Sequence, residues 1–409
     1  MMKILLSAYA CEPNKGSEPF LGWRWAREIA MHHDVWIITR ANNKESIEEY
    51  LGNNPMPSMH FSYVDVGGLV GWYKKGSRGM QLYYYFWQRK AYKKAKELNK
   101  YEGFDIVHHL TFGAFTQPTY MWKLGIPFLW GPIGGGEKLP HISGRKNNFC
   151  GILYELLRSF QMNIYRFLPF SRGALKNAYK ILVTTEETKN LIPSKYRNKC
   201  ILFQSLGIDK DFMREGKVLF EKTSRIKVLV VGRMIGWKGF DIAIDAFKIA
   251  SQRLDNVDLY LRGKGEQKDV LLSRCGNLLG KRIFYVDTYF NYEDMHSFYK
   301  SNDIFLNCSL HDSGCLVILE AMSAGLPIIC INCGGPKVIT EPQNAIKIEP
   351  SDYKKIVSEI ADAICLLSSN KDLRSNMGNE SINIINEKYL YEKKYNLIES
   401  IYKEMYISR

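Results

Sequence analysis

Residues 227–247 read KVLVVGRMIGWKGFDIAIDAF. Val228–Val231 is an apolar, β-branched run of the kind that forms a buried strand. Gly232-Arg233 breaks it, and Lys238-Gly239 opens a helical stretch with apolar residues on one face. Further along, residues 311–329 read HDSGCLVILEAMSAGLPII. Here an acid, Asp312, precedes a glycine loop and then a helix carrying Glu320 eight residues later. Two cations near one helix start and bare backbone amides at another suit a diphosphate. The carboxylates suit the hydroxyls of a sugar and a ribose. Together these features point to a nucleotide-sugar and to glycosyl transfer.

The same strand-and-helix alternation runs through the chain. Strands are expected near Lys3–Ala10, Asp34–Arg40, His60–Val66, Asp105–Thr111, Pro127–Pro132, Lys180–Thr185 and Lys199–Gln204. A second series covers Lys227–Val231, Asp258–Arg262, Arg282–Val286, Asp303–Asn307, Pro327–Ile331 and Ala345–Ile348. Alternation of this kind implies parallel sheets with helices on both faces. The expected fold is α/β, with two doubly wound Rossmann-like domains facing across a cleft. We place the first at residues 1–208 and the second at 224–388, with a C-terminal helix at about 389–409 packing back on the first. Gly207–Thr223 lacks periodicity and reads as the linker.

The chain has 409 residues, enough for two ordinary domains, and a globular balance of 46% hydrophobic and 24% charged residues. Nine scattered cysteines, several in apolar runs, read as reduced and buried thiols of a cytoplasmic protein. Cys330-x-x-Cys333 lacks a second pair, so no zinc site is expected. The opening MMKILLSAYAC reads as a first strand, because Glu12-Pro13 does not suit a cleavage region. No run is long enough to span a bilayer.

The net charge of +14 is uneven. Residues 1–200 hold 28 Lys+Arg and 15 Asp+Glu, whereas 201–409 hold 28 and 27. Within 74–100, nine cations and one acid interleave with Tyr73, Tyr83, Tyr84, Tyr85, Phe86, Trp87 and Tyr92. Such a surface suits the anionic face of a membrane, on whose inner side the protein would sit peripherally. The plainer reading has the aromatics in the core and the cations solvated. No nucleic-acid motif accompanies the charge, and no nucleic-acid partner is expected.

The two decisive segments resemble the signature of glycosyltransferase family 4, retaining enzymes of the GT-B fold. The matching residues are Gly232-Arg233, Lys238-Gly239, Gly263-Lys264-Gly265-Glu266, the pair Asp312 and Glu320, and Ala321-Met322-Ser323-Ala324-Gly325-Leu326-Pro327. Two positions depart from the pattern. Asp312 stands where the family usually has Glu, and Ser313-Gly314-Cys315 replaces small-Phe-Gly. The resemblance implies that Arg233 and Lys238 hold the diphosphate, Glu320 the ribose and Asp312 the transferred sugar. It places Gly232, Gly265, Glu266 and the loop after Val286 near the nucleotide. The amides of Cys315, Leu316 and Val317, beside Gly314, face the phosphates. A purely structural reading makes Asp312 or Ser313 an N-cap.

In the first domain, Gly16-Ser17-Glu18 fits the family's N-terminal glycine loop, or an ordinary turn. His108 and His109 end a strand where the family often has a donor-site histidine, and alternation lets only one face a cleft. The flexible run Gly134-Gly135-Gly136-Glu137 is assigned to acceptor or donor contact. Asp209-Lys210-Asp211 mimics a metal-binding Asp-x-Asp but sits in the expected linker. No catalytic metal and no cofactor is expected, the nucleoside-diphosphate sugar being a substrate. The acceptor is expected to be a saccharide or lipid-linked saccharide of a bacterial surface polysaccharide. Alternatives are a nucleotide-sugar epimerase of similar fold, which needs no acceptor, and a non-catalytic nucleotide-sugar-binding protein. A dinucleotide oxidoreductase would need a G-x-G-x-x-G after a strand, which is missing.

Overall fold

The computed structural model describes all residues except 14, 16–17, 75–77, 146–159, 161–163, 165–167, 217, 219–224, 289–291 and 409. Two parallel sheets organise the chain. The first contains β1 (Lys3–Ser7), β2 (Asp34–Arg40), β3 (Met59–Val64), β4 (Ile106–His109), β5 (Phe128–Ile133), β6 (Ala178–Val183) and β7 (Cys200–Leu202), in the order β3-β2-β1-β4-β5-β6-β7. The second contains β8 (Ile226–Val231), β9 (Val257–Arg262), β10 (Ile283–Val286), β11 (Ile304–Asn307), β12 (Ile328–Ile331) and β13 (Ala345–Ile348), in the order β10-β9-β8-β11-β12-β13. Every expected strand is present, Asp34–Arg40 and Ala345–Ile348 with the expected bounds and the others altered by a few residues at their ends.

The strands are mostly apolar and buried because helices cover both faces of each sheet. In β8, Val228 and Val230 enter one apolar cluster and Leu229 and Val231 the other. This is the strand alternation that buries side chains above and below a sheet. In each sheet the first strand lies between the second and the fourth, so the winding reverses beside it. Such switch points open a crevice at the carboxyl ends of the strands, where α/β proteins bind ligands.

The chain divides into two compact units. One comprises Met1–Gly136, Leu156–Ser205 and Tyr395–Arg409; the other comprises Glu137–Glu155 and Leu206–Lys394. These bounds differ from the expected ones in three places, the last being residues 389–394, which fall in the second unit and not with the C-terminal segment of the first. Described residues 137–145 belong to the second unit because Ile142 is buried in its core, the Ser143 carbonyl accepts from the Tyr353 amide, and Arg145 forms an ion pair with Asp241. The stretch read as a linker also belongs there. Ile208, Phe212 and Val218 are buried in its apolar cluster, and Asp209-Lys210-Asp211 leads into a short 3-10 turn, Lys210–Phe212. Among the described residues no group of His, Cys, Asp and Glu is arranged to hold a metal ion.

The last helix, Tyr391–Ile407, gives the first unit Glu399, bonded to His33 at 2.7 Å, and Tyr402, bonded to His108 at 2.7 Å. In the helix Met80–Glu102 the basic-aromatic run resolves into two faces. Tyr83, Tyr84 and Trp87 are core, while Arg89, Lys90, Lys93, Lys96 and Lys100 are exposed. Those three aromatics are therefore not surface residues. Among the described residues no helix is long and apolar enough to cross a membrane.

Candidate active site

The switch point of the second sheet gathers the loops that follow β8, β9, β11 and β12. After β8, the Gly232 amide donates to the Arg262 carbonyl at 3.1 Å, and the Met234 amide to Lys264 at 2.9 Å. These bonds fasten the Gly232-Arg233 turn to Gly263-Lys264-Gly265-Glu266. The fit is backbone on backbone. A Cβ at Gly263 would lie 1.8 Å from the Gly232 oxygen, and one at Gly265 would lie 2.4 Å from that of Met234. Met234 is buried, whereas Arg233 is exposed and makes no ion pair among the described residues. Gly265 and Glu266 are exposed beside it. Val286 ends β10 nearby, and the neighbouring Tyr285 hydroxyl donates to Gly263 at 3.0 Å.

The turn then tightens through Gly236–Lys238 into Gly239, which has φ +68 and caps the helix Phe240–Arg253. A Cβ at Gly239 would lie 2.1 Å from the Cys308 carbonyl oxygen, so only glycine lets this turn seat against the loop after β11. The Leu310 amide donates to Trp237 at 2.8 Å across the same junction. With the loops seated, the Lys238 ammonium meets the Asp312 carboxylate, which also accepts from Ser309 Oγ at 3.1 Å.

Beyond Asp312 the chain enters the helix Leu316–Ser323 through Cys315, whose φ is +86. A side chain in this left-handed region is uncommon and strained, and the family pattern has glycine there. Asn307 donates to the buried Cys315 sulfur at 3.4 Å. Burial, with the Asp312 charge beside it, holds the thiol well above its ordinary range. The helix starts in a tight turn, with the Ile318 amide returning to the Cys315 carbonyl. The amides of Leu316 and Val317 lie among those that a helix leaves without an internal acceptor.

Glu320 lies further along this helix and accepts from the Tyr299 hydroxyl at 2.8 Å. Burial raises its carboxyl above the usual range, opposed by the Tyr299 hydrogen bond and the Arg262 charge. Gly334 and Gly335, after β12, close the floor of the site. The Gly335 amide donates to Asp312 at 2.6 Å, and a Cβ at Gly335 would lie 2.4 Å from the Gly314 oxygen. Sequence reasoning passed over Tyr299, Arg262, Ser309 and this glycine pair. The Gly-Gly following an apolar run was the one available signal. It also passed over Arg145, which donates to the Gly236 carbonyl at 2.6 Å and grips both oxygens of Asp241, so that the Lys238 turn is held from behind.

In the first unit, Gly16 and Ser17 lie outside the described residues. The next residue, Glu18, accepts from the Phe112 amide at 2.5 Å. Burial pushes its carboxyl up, against the hydrogen bonds from Phe112 and Gly113. The two histidines separate as alternation demands. His108 is a core residue, bonded to Tyr402 and, at 2.6 Å, to the Gly131 carbonyl. His109 turns the other way, toward the Tyr84 hydroxyl at 3.4 Å, and its buried Nδ1 has no hydrogen-bond partner among the described residues. Burial lowers His108 to about 4 and His109 to about 3, so both rings are neutral at physiological pH. Gly134 is spent on backbone pairing with Gly113 at 2.6 Å. Gly135 is partly buried, and Glu137 is buried within the second unit.

Residues 211–383 match the family model described as glycosyl transferases group 1. The match lies within the second unit and covers less than half of the chain. An uncharacterized glycosyltransferase of Haemophilus influenzae is 26% identical over 224 residues, covering 54% of this chain and 60% of that protein. The chain thus spans about three fifths of the length of that curated relative. The sucrose-phosphate synthase structure from Thermosynechococcus elongatus superposes with a TM-score of 0.68 at 16% identity, over 100% of both chains. Anabaena HepE, solved with UDP and glucose, gives 0.62 at 14% identity, over 99% of this chain and 100% of that one. The fold is therefore GT-B. Within the matched residues, Arg233, Lys238, Asp312 and Glu320 lie on the loops and the helix at the switch-point crevice of one sheet.

Proposed function

We propose that the protein is a retaining glycosyltransferase that moves a sugar from a nucleoside-diphosphate donor to a saccharide or lipid-linked saccharide. The observation that carries this is the convergence of Lys238, Asp312 and the start of the Leu316–Ser323 helix beside the exposed Arg233. Arg233, Lys238 and the helix amides would receive the diphosphate and stabilise the charge that grows on it as the glycosidic bond breaks. Binding of that anion would draw Lys238 away from Asp312 and free the carboxylate for sugar hydroxyls. Glu320, aligned by Tyr299, would accept from the ribose.

No residue of 211–383 is assigned as a covalent nucleophile. The departing phosphate oxygen would deprotonate the acceptor on the same face, which gives retention. HepE was solved with UDP and glucose bound, which supports a uridine donor. A surface-polysaccharide role and a place at the inner face of the membrane are the corresponding cellular reading, resting on the basic first half of the chain. The test is thermal-shift titration with UDP, GDP and ADP, followed by product analysis with labelled donors and membrane extract. A nucleotide shift with a transferred sugar of retained configuration supports the proposal. Donor conversion without an acceptor would indicate an epimerase, and an inverted product would refute the stereochemistry.

A further inference from the structure

The helix Gly68–Tyr73 follows β3 at the carboxyl edge of the first sheet and has no fully buried residue. Its seat is small. A Cβ at Gly71 would lie 2.3 Å from the Val66 carbonyl oxygen, and Val70 packs on the core of the unit. On the opposite side Leu69 is 85% exposed, Trp72 71% and Tyr73 43%. These residues are three and four positions apart, hence on one face. A helix that turns a leucine and a tryptophan to water while seating a glycine inward is inverted relative to an ordinary surface helix.

Cations adjoin this face. The Arg78 guanidinium lies 4.9 Å from the Tyr73 ring centre, and a Cβ at Gly79 would lie 2.7 Å from that ring, so the helix Met80–Glu102 starts against it. Leu82, 48% exposed, begins a stripe that continues through Arg89, Lys93, Lys96 and Lys100. Their spacings keep them on one side of the helix, about 27 Å from end to end. Lys90 lies beside the stripe. Lys94 is spent on Glu97 at 3.0 Å, and Arg89 donates to the Tyr85 hydroxyl. Lys90, Lys93, Lys96 and Lys100 make no ion pair among the described residues.

We infer that the Gly68–Tyr73 helix and the cationic stripe of the Met80–Glu102 helix form one docking surface for an anionic bilayer. Leucine and tryptophan enter the headgroup boundary while the lysines meet lipid phosphates. The surface adjoins the carboxyl edge where β1 and β4 end, so docking brings lipid beside the loops that would receive an acceptor. The assignment rests on the lipid-linked reading of that acceptor and names the residues that meet the membrane.

The test is co-sedimentation of the full chain with vesicles of phosphatidylglycerol and phosphatidylcholine, and with phosphatidylcholine alone. The wild type is expected to bind the anionic vesicles and to lose binding in high salt. The double variant L69S/W72S should bind at least ~10-fold more weakly, and so should K90Q/K93Q/K96Q/K100Q. All six positions are exposed and distant in sequence from residues 211–383, so both variants should keep the wild-type melting temperature and nucleotide shift. Equal vesicle binding by wild type and L69S/W72S overturns the inference, as does a wild type that sediments with neither vesicle or binds only single-stranded RNA. Loss of the nucleotide shift in the wild type would count against the transferase reading and leave the vesicle result to be judged separately.

Discussion

Lys238 and Asp312 are 74 residues apart and form an ion pair, with Ser309 as a third partner on the same carboxylate. The pairing follows from strand order. β8 and β11 are neighbours in the sheet, so the loops at their carboxyl ends share one crevice. A cation and an acid held together there can part when an anion arrives, which makes the pair a store of aligned charge.

Replacing Lys238 by alanine should lower turnover at least ~100-fold, because a cation aimed at the leaving group acts mainly in the transition state. The fold should survive, with a melting temperature within about 4 °C of wild type. Labelled-donor turnover and calorimetry check both statements; near-normal turnover would remove Lys238 from the mechanism.

Gly239→Ala should cost about 3 kcal/mol in urea unfolding, since a Cβ there is both left-handed and pressed on Cys308. Gly125 is the control. It has φ +74 in the same left-handed region with nothing within 4 Å of an added Cβ, so Gly125→Ala should cost only about 1 kcal/mol. Equal costs would show that the contact with Cys308 yields easily.

Cys315 carries a side chain in a glycine conformation. Cys315→Gly should leave stability within about 1 kcal/mol of wild type, because relieved strain offsets a freer unfolded chain. A β-branched residue fits this region worst, so Cys315→Val should cost more than about 2 kcal/mol. The two unfolding curves decide it; a tolerated valine would contradict the strain.

Tyr299→Phe removes the hydrogen bond that favours the Glu320 carboxylate, so burial then acts with less opposition. The Glu320 pKa, already raised, should rise further. As pH falls, the variant should therefore lose nucleotide affinity at a higher pH than the wild type. Titrating the dissociation constant of the best-bound nucleoside diphosphate against pH tests this, and coincident profiles would exclude Glu320 as the ribose acceptor.

His108 has a folded pKa near 4 against an ordinary 6.5. The unfolded chain therefore binds the proton first, and stability that is full above 6.5 is lost as pH falls toward 4. Each such histidine contributes at most about 1.4 kcal/mol per pH unit in that window. Glu18, Glu320 and Asp303 have raised carboxyl pKa values and act with the opposite sign, so the comparison must be internal. His108→Gln should show a shallower fall in unfolding free energy between pH 6.5 and 5 than the wild type. Parallel slopes would show that His108 protonates freely in the fold.

Strands were legible in the sequence because parallel strands covered on both faces are unbroken apolar runs, as in Val228–Val231 and Ile328–Ile331. Arg233, Lys238 and Asp312 stood out as candidates because glycines mark the turns that carry them, and Glu320 because it is the one acid in the apolar helix Leu316–Ser323. Periodicity failed at 207–216 and 137–145, whose described backbone is largely irregular and is held by isolated buried residues such as Phe212 and Ile142. By itself the sequence determined which segments become strands, where the glycine turns fall and which side chains could meet a diphosphate. Only the tertiary structure decided that Lys238 faces Asp312, that His108 belongs to the core, and that Leu69 and Trp72 face outward while Tyr84 and Trp87 do not. Those outcomes depend on strand order and on which side of an element meets a neighbour. Both are set by packing between residues far apart in the chain, and local patterns do not encode them.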